Sequence, residues 1–422
     1  MKGLLKKFRS GYMINTLVTL KGNARACTWF EPLWGIPYNL YLPYVTLFMT
    51  SLGMSYAEIG YITSITMASQ MVFAVLSGVL TDKLGRRLCT VIFDTLGWSI
   101  PELLWMFSQN FTWFAVAALF NGMWRVTENS WYLLMVEDTD DDQIMTLNSL
   151  AQLMGLLAAF FAPLSKFAVD AFGIVPTMRV FYGLSFVFMT MKFVVLYAFS
   201  TETKNGLRRM EKTRSRSVFS MVWECKDVYI GIIREKRMLL TLAILAVYTL
   251  IKTLNNDYWA LYLCDVLGVR EGDVSLFVTL RSLATLVSIF VLVPLANRMS
   301  IRKPMLASLA CFMASQALLL ANPGGALCVP LLIVSVALEA MAVSVLNPMT
   351  SAMLFVNAEE DERARIVGMV NATVALIVTV FPALVGRLAL ISIRIPFYIN
   401  LAAFVVLGAL GVLITRLPEQ NR

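Results

Sequence analysis

The chain has 422 residues, of which 58% are apolar and 15% are charged. Soluble domains contain about 45–50% apolar and about 25% charged residues, so this composition excludes an ordinary water-soluble globular protein. It also excludes a disordered or nucleic-acid-binding chain, although the formal net charge is +8. Because an α-helix needs about 20 apolar residues to cross a bilayer, the length accommodates about a dozen crossings. The composition therefore predicts an all-α polytopic membrane protein.

Apolar stretches, cut at charged or Gly/Pro-rich breaks, predict twelve membrane spans. The predicted spans start near Cys27, Ala57, Leu88, Phe111, Gln143 and Pro176, and then near Met238, Asp273, Pro304, Leu327, Arg365 and Ile395. An even number of spans places both termini on one side. Most of the 35 Lys and Arg residues fall on that same side, and cytoplasmic loops are enriched in these residues. We therefore predict cytoplasmic termini, and we expect a bacterial cell membrane.

A single long connection, Thr201–Arg237, separates two six-span halves. It predicts an N-terminal bundle at 1–200, a cytoplasmic linker at 201–237 and a C-terminal bundle at 238–422. Within the linker, apolar residues recur at helical spacing and predict an amphipathic helix on the inner membrane surface: Val218, Met221, Cys225, Val228 and Ile232.

The two halves repeat one another in outline. The loop after span two, Gly78–Arg87, has a degraded copy after span eight, Asn297–Lys303. Acidic clusters follow span four, Glu137–Asp142, and span ten, Glu359–Glu362. Internal repeats in a hydrophobic chain are typical of secondary transporters.

The stretch Gly78–Arg87 resembles the loop signature G-x-x-x-D-[RK]-x-G-[RK]-[RK] of the major facilitator superfamily at every fixed position. The resemblance covers essentially the whole chain and implies that family's fold, with twelve transmembrane helices in two pseudo-symmetric six-helix bundles. In the family this loop is a conformational latch. The resemblance implies that its residues and two acids after span four form the latch here: Gly78, Asp82, Gly85, Arg86, Arg87, Glu137 and Asp138.

Two other signatures of the family depart from its pattern. The span-four signature R-x-x-q-G is present only as Arg125–Asn129, and the Gly/Pro-rich span-five signature of drug antiporters is nearly absent. The second departure disfavours a proton-driven drug exporter without excluding it.

Charged residues inside the predicted spans are candidates for function, because placing one at the bilayer centre costs at least about 2.5–3.5 kcal/mol. In the resembled fold, spans one, four, seven and ten surround a central cavity, and each carries a charge here. We predict substrate binding by Arg125, Lys252 and Arg281. Residues at helical spacing from a charge on their own span are added to this set: Tyr38 from Glu31, Asn121 from Arg125, and Asn255 and Trp259 from Lys252.

Proton coupling would require buried carboxylates, because the chain contains no histidine. We predict that Glu128 or Glu339 has this role, and Glu31 is the third, less favoured candidate. Three alternatives stay open: Arg125 and Glu128 form a purely structural pair, Glu31 is a gate residue, and Glu102 is either structural or functional. Lys192 is expected to snorkel towards water.

These patterns together predict a secondary transporter for a small polar or anionic organic solute, working by alternating access and coupled to protons. No Walker-type loop occurs, which disfavours ATP as the energy source. Scattered cysteines without a CxxC pair predict no metal and no cofactor. The expected partners are the solute, the bilayer and the proton, with no nucleic acid, and we expect a monomer. The alternatives are a multidrug exporter and, more distantly, a membrane sensor or enzyme.

Overall fold

A computed structural model describes residues 17–139, 141–224, 235–296, 298–299, 302–356 and 363–414. Regular structure throughout these ranges is helical, without a β-strand. The helices of the first half are α1 (Gly22–Trp29), α2 (Glu31–Tyr41), α3 (Val45–Ser51), α4 (Tyr56–Leu84), α5 (Arg86–Asp94), α6 (Ile100–Phe107), α7 (Phe111–Asn121), α8 (Trp124–Val136), α9 (Asp141–Ala158), α10 (Pro163–Phe172) and α11 (Ile174–Phe199).

The linker begins with helix α12 (Lys204–Thr213). The second half contains α13 (Lys236–Asp265), α14 (Val274–Ala296), α15 (Arg302–Leu320), α16 (Cys328–Val356), α17 (Arg363–Val378), α18 (Val380–Ala389) and α19 (Ile395–Ile414). A helical stretch at 218–224 contains the start of the predicted amphipathic helix. Several predicted features lie outside the described residues: Cys225, Val228 and Ile232 of that helix, Asp140, Asn297, Ser300, Ile301 and the acidic cluster Glu359–Glu362.

Nine helical runs in the described ranges are long and apolar enough to cross a membrane. This finding confirms the predicted all-helical membrane fold. The other three predicted spans, the first, third and fourth, consist of shorter helices that follow one another closely: α1–α3, α5–α6 and α7–α8. Length and composition alone therefore support nine of the twelve predicted crossings.

The three interrupted spans have identifiable local causes. In the first, Pro37 lies inside α2, and Pro43 forms part of a 3-10 turn at Leu42–Tyr44. Proline has no backbone N–H and disturbs a helix at these points. In the third, a π-helical turn at Thr95–Ser99 separates α5 from α6. In the fourth, a turn at Gly122 separates α7 from α8.

Helix α4 joins the two halves, because it packs against α17 and α18. A glycine makes the approach possible: a Cβ at Gly60 would overlap the carbonyl oxygen of Pro382. The Tyr56 end of α4 lies beside the end of α13, and its Leu84 end lies beside the linker. We call these two ends of the bundle the far end and the linker end.

The hydrophobic core is shared in one region and divided elsewhere. The largest cluster contains residues of both halves, among them Tyr44, Phe48, Tyr258 and Tyr262. Three smaller clusters contain residues of one half only, around Leu134 and around Phe93 in the first half and around Phe312 in the second. The halves are thus fused by one core and keep separate cores of their own.

Candidate functional site

A cavity of about 1430 Å³ lies between the two halves. Helices α2, α4 and α8 and the π-helical turn line it from the first half, and α13, α16 and α17 line it from the second. Its volume exceeds the roughly 300–1,000 Å³ of ordinary small-molecule pockets. The cavity therefore has room for an organic solute together with water.

One wall of the cavity is aromatic and belongs to the interrupted helices of the first half. Trp34 stacks on Tyr38 with ring centroids 4.6 Å apart, and Trp98 meets Trp34 edge-on at 5.1 Å. Trp98 stands in the π-helical turn, and Trp124 opens α8 at 6.4 Å from it. Flat aromatic faces of this kind can stack on a planar solute or interact with a cation.

Arg125 also projects into the cavity from the first turn of α8. Its Nη1 lies 2.6 Å from Glu128 Oε2, and its Nε donates to Gln70 Oε1 at 3.2 Å. The guanidinium lies 4.4 Å from the centre of the Trp124 ring. The Glu128 side chain is 47% exposed, so this ion pair is in contact with the cavity. Exposed pairs are individually weak and can open at little cost.

Lys252 enters the same cavity from α13 in the second half. Its ammonium group lies 5.6 Å from the centre of the Tyr248 ring. Among the described side chains, no carboxylate lies within ion-pair distance of it. Arg125 acts on Lys252 as a nearby positive charge. Two cations, one from each half, thus share one space.

Two more predicted binding residues reach the cavity. Tyr38 forms part of the aromatic wall, and Asn121 lies beside it at the end of α7. The Asn121 amide donates to the carbonyl oxygen of Gly97 at 2.9 Å, inside the π-helical turn. Asn121 therefore also supports the turn that presents Trp98.

Lys192 differs from the sequence expectation. It does not snorkel towards water, because its side chain is buried and its Nζ lies 2.8 Å from Glu31 Oε2. Trp34 and Trp131 also lie within 6 Å of the ammonium group. A partner on α2 explains the burial, since a paired charge can stay in a low-dielectric interior that excludes an unpaired one. Both Glu31 and Lys192 line the cavity.

The remaining predicted site residues form a separate group within the second half. Glu339 accepts from Asn255 Nδ2 at 2.9 Å and lies 3.1 Å from Arg281 Nη2. Gln316 donates to Asn255, and the Arg281 guanidinium lies 4.3 Å from the centre of the Trp259 ring. The structure does not bring Glu339, Arg281, Asn255 or Trp259 into the wall of the cavity. They connect α13, α14 and α16 instead.

Contacts between the halves close the far end. Tyr44 donates to the Gly272 carbonyl oxygen, and Tyr56 donates to Asp265 Oδ2 at 2.6 Å. Lys166 bridges Asp170 of its own half and Asp273 of the other, at 2.7 and 2.5 Å. On the α4–α18 seam, Arg387 donates to the hydroxyl oxygen of Tyr61, and the Ala383 amide donates to Ser64.

The loop at Gly78–Arg87 lies at the linker end. Arg86 is buried between Asp82 Oδ1 at 3.2 Å and Glu137 Oε1 at 2.9 Å. Arg87 donates to the Tyr197 carbonyl oxygen and lies over the Tyr197 ring. Asp138 accepts from the backbone amide of Lys204. All these partners belong to the first half or to the linker.

Glu202 is a residue of this loop region that sequence reasoning missed. Its two carboxylate oxygens accept from the backbone amides of Arg86 and Arg87 at 2.8 and 2.9 Å. Gly85 has φ +83, and a Cβ there would lie 2.5 Å from Glu202 Oε2. Glycine at this position therefore permits both the left-handed backbone and the approach of the carboxylate. The single acid after α11 gave no signal in the sequence.

Two further cavity residues escaped prediction as binding residues. Trp98 stands in the π-helical turn, so the periodicity of an ideal α-helix does not give the direction of its side chain. Asp257 lies off the Lys252 face of an ideal helix, yet it lines the cavity beside α4. Neither position could be assigned from helical periodicity alone.

The sequence model described as "Major Facilitator Superfamily" matches residues 34–262 and 240–422. No curated protein matches the sequence.

Several solved structures share the fold at low sequence identity. The nucleoside transporter NupG superimposes with a TM-score of 0.70 at 14% identity, covering 94% of this chain and 100% of that one. The peptide transporter POT in complex with sulfate gives 0.69 at 15% identity, with 94% and 96% covered. The human organic anion transporter MFSD10 (TETRAN) gives 0.63 at 16% identity, with 92% and 98% covered. At these identities the likeness shows a common fold.

Proposed function

The chain belongs to the major facilitator superfamily and is a membrane transporter, and we propose that it moves a small polar or anionic organic solute by secondary transport. The observation that carries this proposal is the shared cavity, where Arg125 and Lys252 enter from different halves. Each repels the other, so an anionic group bound between them would relieve the repulsion and draw the halves together. The aromatic wall beside them suits the organic part of such a solute.

Alternating access is the proposed mode of movement. The two bundles, 1–200 and 238–422, would rock about the cavity while the linker tethers them. The Lys166–Asp273 and Tyr56–Asp265 contacts at the far end support this mode, because they are an ion pair and a hydrogen bond that can break singly. In the proposed orientation the linker end and both termini face the cytoplasm of a bacterial cell.

Proton coupling is assigned to a carboxylate paired with a cation. Glu128 is the strongest of the predicted residues, because it contacts both the cavity and Arg125. A proton on Glu128 would cancel its charge and release Arg125 for the anionic solute. Glu31 could release Lys192 in the same way, and Glu339 could release Arg281.

The test begins with a thermal-shift screen, because a ligand that binds only the folded protein raises its melting temperature. The panel consists of nucleosides, dipeptides and organic anions, the solute classes in the names of the similar structures. Uptake of each stabilising compound is then measured in proteoliposomes with an imposed proton gradient. The proposal would be contradicted if no compound in the panel stabilised the protein and none was taken up.

Variants locate the site. Arg125→Gln and Lys252→Gln should each reduce uptake about tenfold, which corresponds to about 1.4 kcal/mol of lost interaction. Lys212→Gln makes the same change at an exposed linker position and should have no effect. Glu128→Gln should retain solute binding and lose the response to the gradient. The proton assignment is wrong if Glu128→Gln, Glu31→Gln and Glu339→Gln all remain gradient-driven.

A multidrug exporter is the second candidate, and the volume of the cavity favours it. A space of about 1430 Å³ with an aromatic wall could admit several unrelated lipophilic compounds. Stabilisation by many such compounds, with none from the polar panel, would favour this function over the first.

A further inference from the structure

Glu102 is a fully buried carboxyl group. Neither the predicted site nor the contacts around the cavity explain why it is there. Its exposed fraction is 0%, and neither side-chain oxygen has a hydrogen-bond partner. Buried polar groups in folded proteins nearly always have partners, so an isolated one needs an explanation. The other acids discussed above for coupling, Glu31, Glu128 and Glu339, are each paired with a cation.

The surroundings of Glu102 contain hydroxyl groups but no cation. The hydroxyl of Tyr41 on α2 faces the carboxyl group without hydrogen-bond geometry, and the Tyr182 hydroxyl on α11 is also unpaired. Tyr38 is the third titratable residue near it. The other packed elements, α7 and the π-helical turn, carry no titratable residue. Arg179 on α11 instead donates to the Ser108 carbonyl oxygen, beyond the end of α6.

Glu102 is only one side chain away from the cavity. Trp98 and Trp105 lie one helical turn before and after it, and both line the cavity. Tyr41 also lines the cavity and covers the carboxyl group from that side. A small rotation of the Tyr41 side chain would therefore connect Glu102 with cavity water.

We infer that Glu102 is a proton-binding site that exchanges its proton with the cavity through the Tyr41 hydroxyl. In the conformation with a closed far end, the group has no cation and no hydrogen-bonded donor to stabilise a negative charge, so it holds the proton. When Tyr41 turns and water enters, the Tyr41 hydroxyl accepts the proton of the carboxyl group and donates its own proton to that water, and Glu102 becomes a carboxylate. The inference rests on the proposed proton coupling and adds to it a site apart from the ion-paired acids.

The test is an infrared difference spectrum of the purified full-length protein, recorded during exchange between acidic and alkaline buffers. A protonated carboxyl group in a dry site gives a carbonyl band that shifts in D₂O. The wild-type protein should show such a band, and it should decrease at alkaline pH. Glu102→Gln should remove the contribution of Glu102 to the band, whereas Glu211→Gln, the same change at an exposed linker position, should leave the band intact. A band that survives unchanged in Glu102→Gln overturns the inference, as does its absence from the wild type.

A second variant keeps the proposal testable if Glu102→Gln does not fold. Tyr41→Phe retains the carboxyl group, so the band should persist with a shifted frequency and a slower response to the buffer change. An unchanged frequency and rate would overturn the role of Tyr41. Flux measurements separate this inference from the proposed function. A titrating Glu102 band without gradient-driven flux of any solute would refute proton-coupled transport and leave the proton site in place.

Discussion

The far end and the linker end of the bundle differ in how the two halves of the chain meet. At the far end, Lys166 and Tyr56 of the first half contact Asp273 and Asp265 of the second. At the linker end, the buried Arg86 is paired with Asp82 and Glu137, both of its own half. The charged contacts therefore hold the halves to each other at one end and hold the first half together at the other.

This difference explains how one chain can be stable and still move. The cluster around Leu134 and the cluster around Phe312 do not depend on contact between the halves. Opening or closing an end therefore exchanges contacts between the halves and leaves these cores intact. The far-end contacts of Lys166 and Tyr56 are polar and partly exposed, and such contacts are cheap to break one at a time.

The largest expected effect is at the linker end. Arg86→Ala leaves the carboxylate of Glu137 without its cation, and breaking a buried ion pair costs roughly 3–5 kcal/mol. Since Thr203 and Asn205 also donate to Glu137, we expect the lower limit, about 3 kcal/mol. This loss of stability is measured as the decrease in the melting temperature of the protein in detergent. Arg87→Ala removes a more exposed guanidinium and should lower the melting temperature less. Equal decreases in melting temperature for the two variants would mean that the buried ion pair stabilises the protein no more than the contacts of Arg87 do.

The next effect is at the seam between the halves at the far end. Gly60→Ala places a methyl group against the Pro382 carbonyl oxygen, which cannot move as a side chain can. Overpacking of this kind costs about 1–3 kcal/mol, so the closed far end should lose population. Spin labels at Phe172 and Ile391, both exposed near this end, should report a longer distance. Gly408→Ala, with open space around the glycine, is the control and should leave the distance unchanged.

A smaller effect should follow from Lys166→Met. The change removes the cation that Asp170 and Asp273 share, and partly exposed pairs contribute about 1 kcal/mol or less each. The same two spin labels should show a several-fold increase in the open population. Salt should produce a similar shift in the wild type, because it screens exposed charges. Arg270→Met, which removes a 74% exposed cation, should change the distance distribution little. A wild type insensitive to salt would exclude this bridge as a determinant of closure.

The smallest effect is expected for Tyr56→Phe. It removes one hydrogen bond to Asp265; because the position is exposed, we expect a contribution at the low end of the about 0.5–1.5 kcal/mol of a typical hydrogen bond. The open population measured with the same labels should rise slightly, by less than for Lys166→Met. Tyr398→Phe changes an exposed tyrosine of the second half and serves as the control. A larger effect from Tyr56→Phe than from Lys166→Met would reverse the proposed ranking of far-end contacts.

Sequence reasoning predicted the family and the all-helical membrane fold, because both depend on local signals. Apolar length marks a span, and the signature at Gly78–Arg87 marks the family. The prolines that interrupt the first span, Pro37 and Pro43, were also visible in the sequence. The π-helical turn around Gly97 was not, because it depends on the close approach of Trp124 from α8.

The candidate site was only partly predictable for a related reason. Arg125, Glu128, Lys252 and Tyr38 line the cavity, whereas Glu339 and Arg281 face one another inside the second half. Helical periodicity gives the face of a residue but not the helix opposite it. Lys192 illustrates the limit: its partner Glu31 is 161 residues away in the sequence, and without that partner snorkelling was the reasonable expectation.

The amino-acid sequence by itself determined that this chain is a helical membrane protein of one family, because hydrophobic length and loop signatures act through neighbouring residues. The tertiary structure alone decided which charges are paired, which end is closed and that the Glu102 carboxyl group is left without a hydrogen-bond partner. Those outcomes depend on distances between helices that are far apart along the chain, and on how much water each side chain keeps after the helices pack.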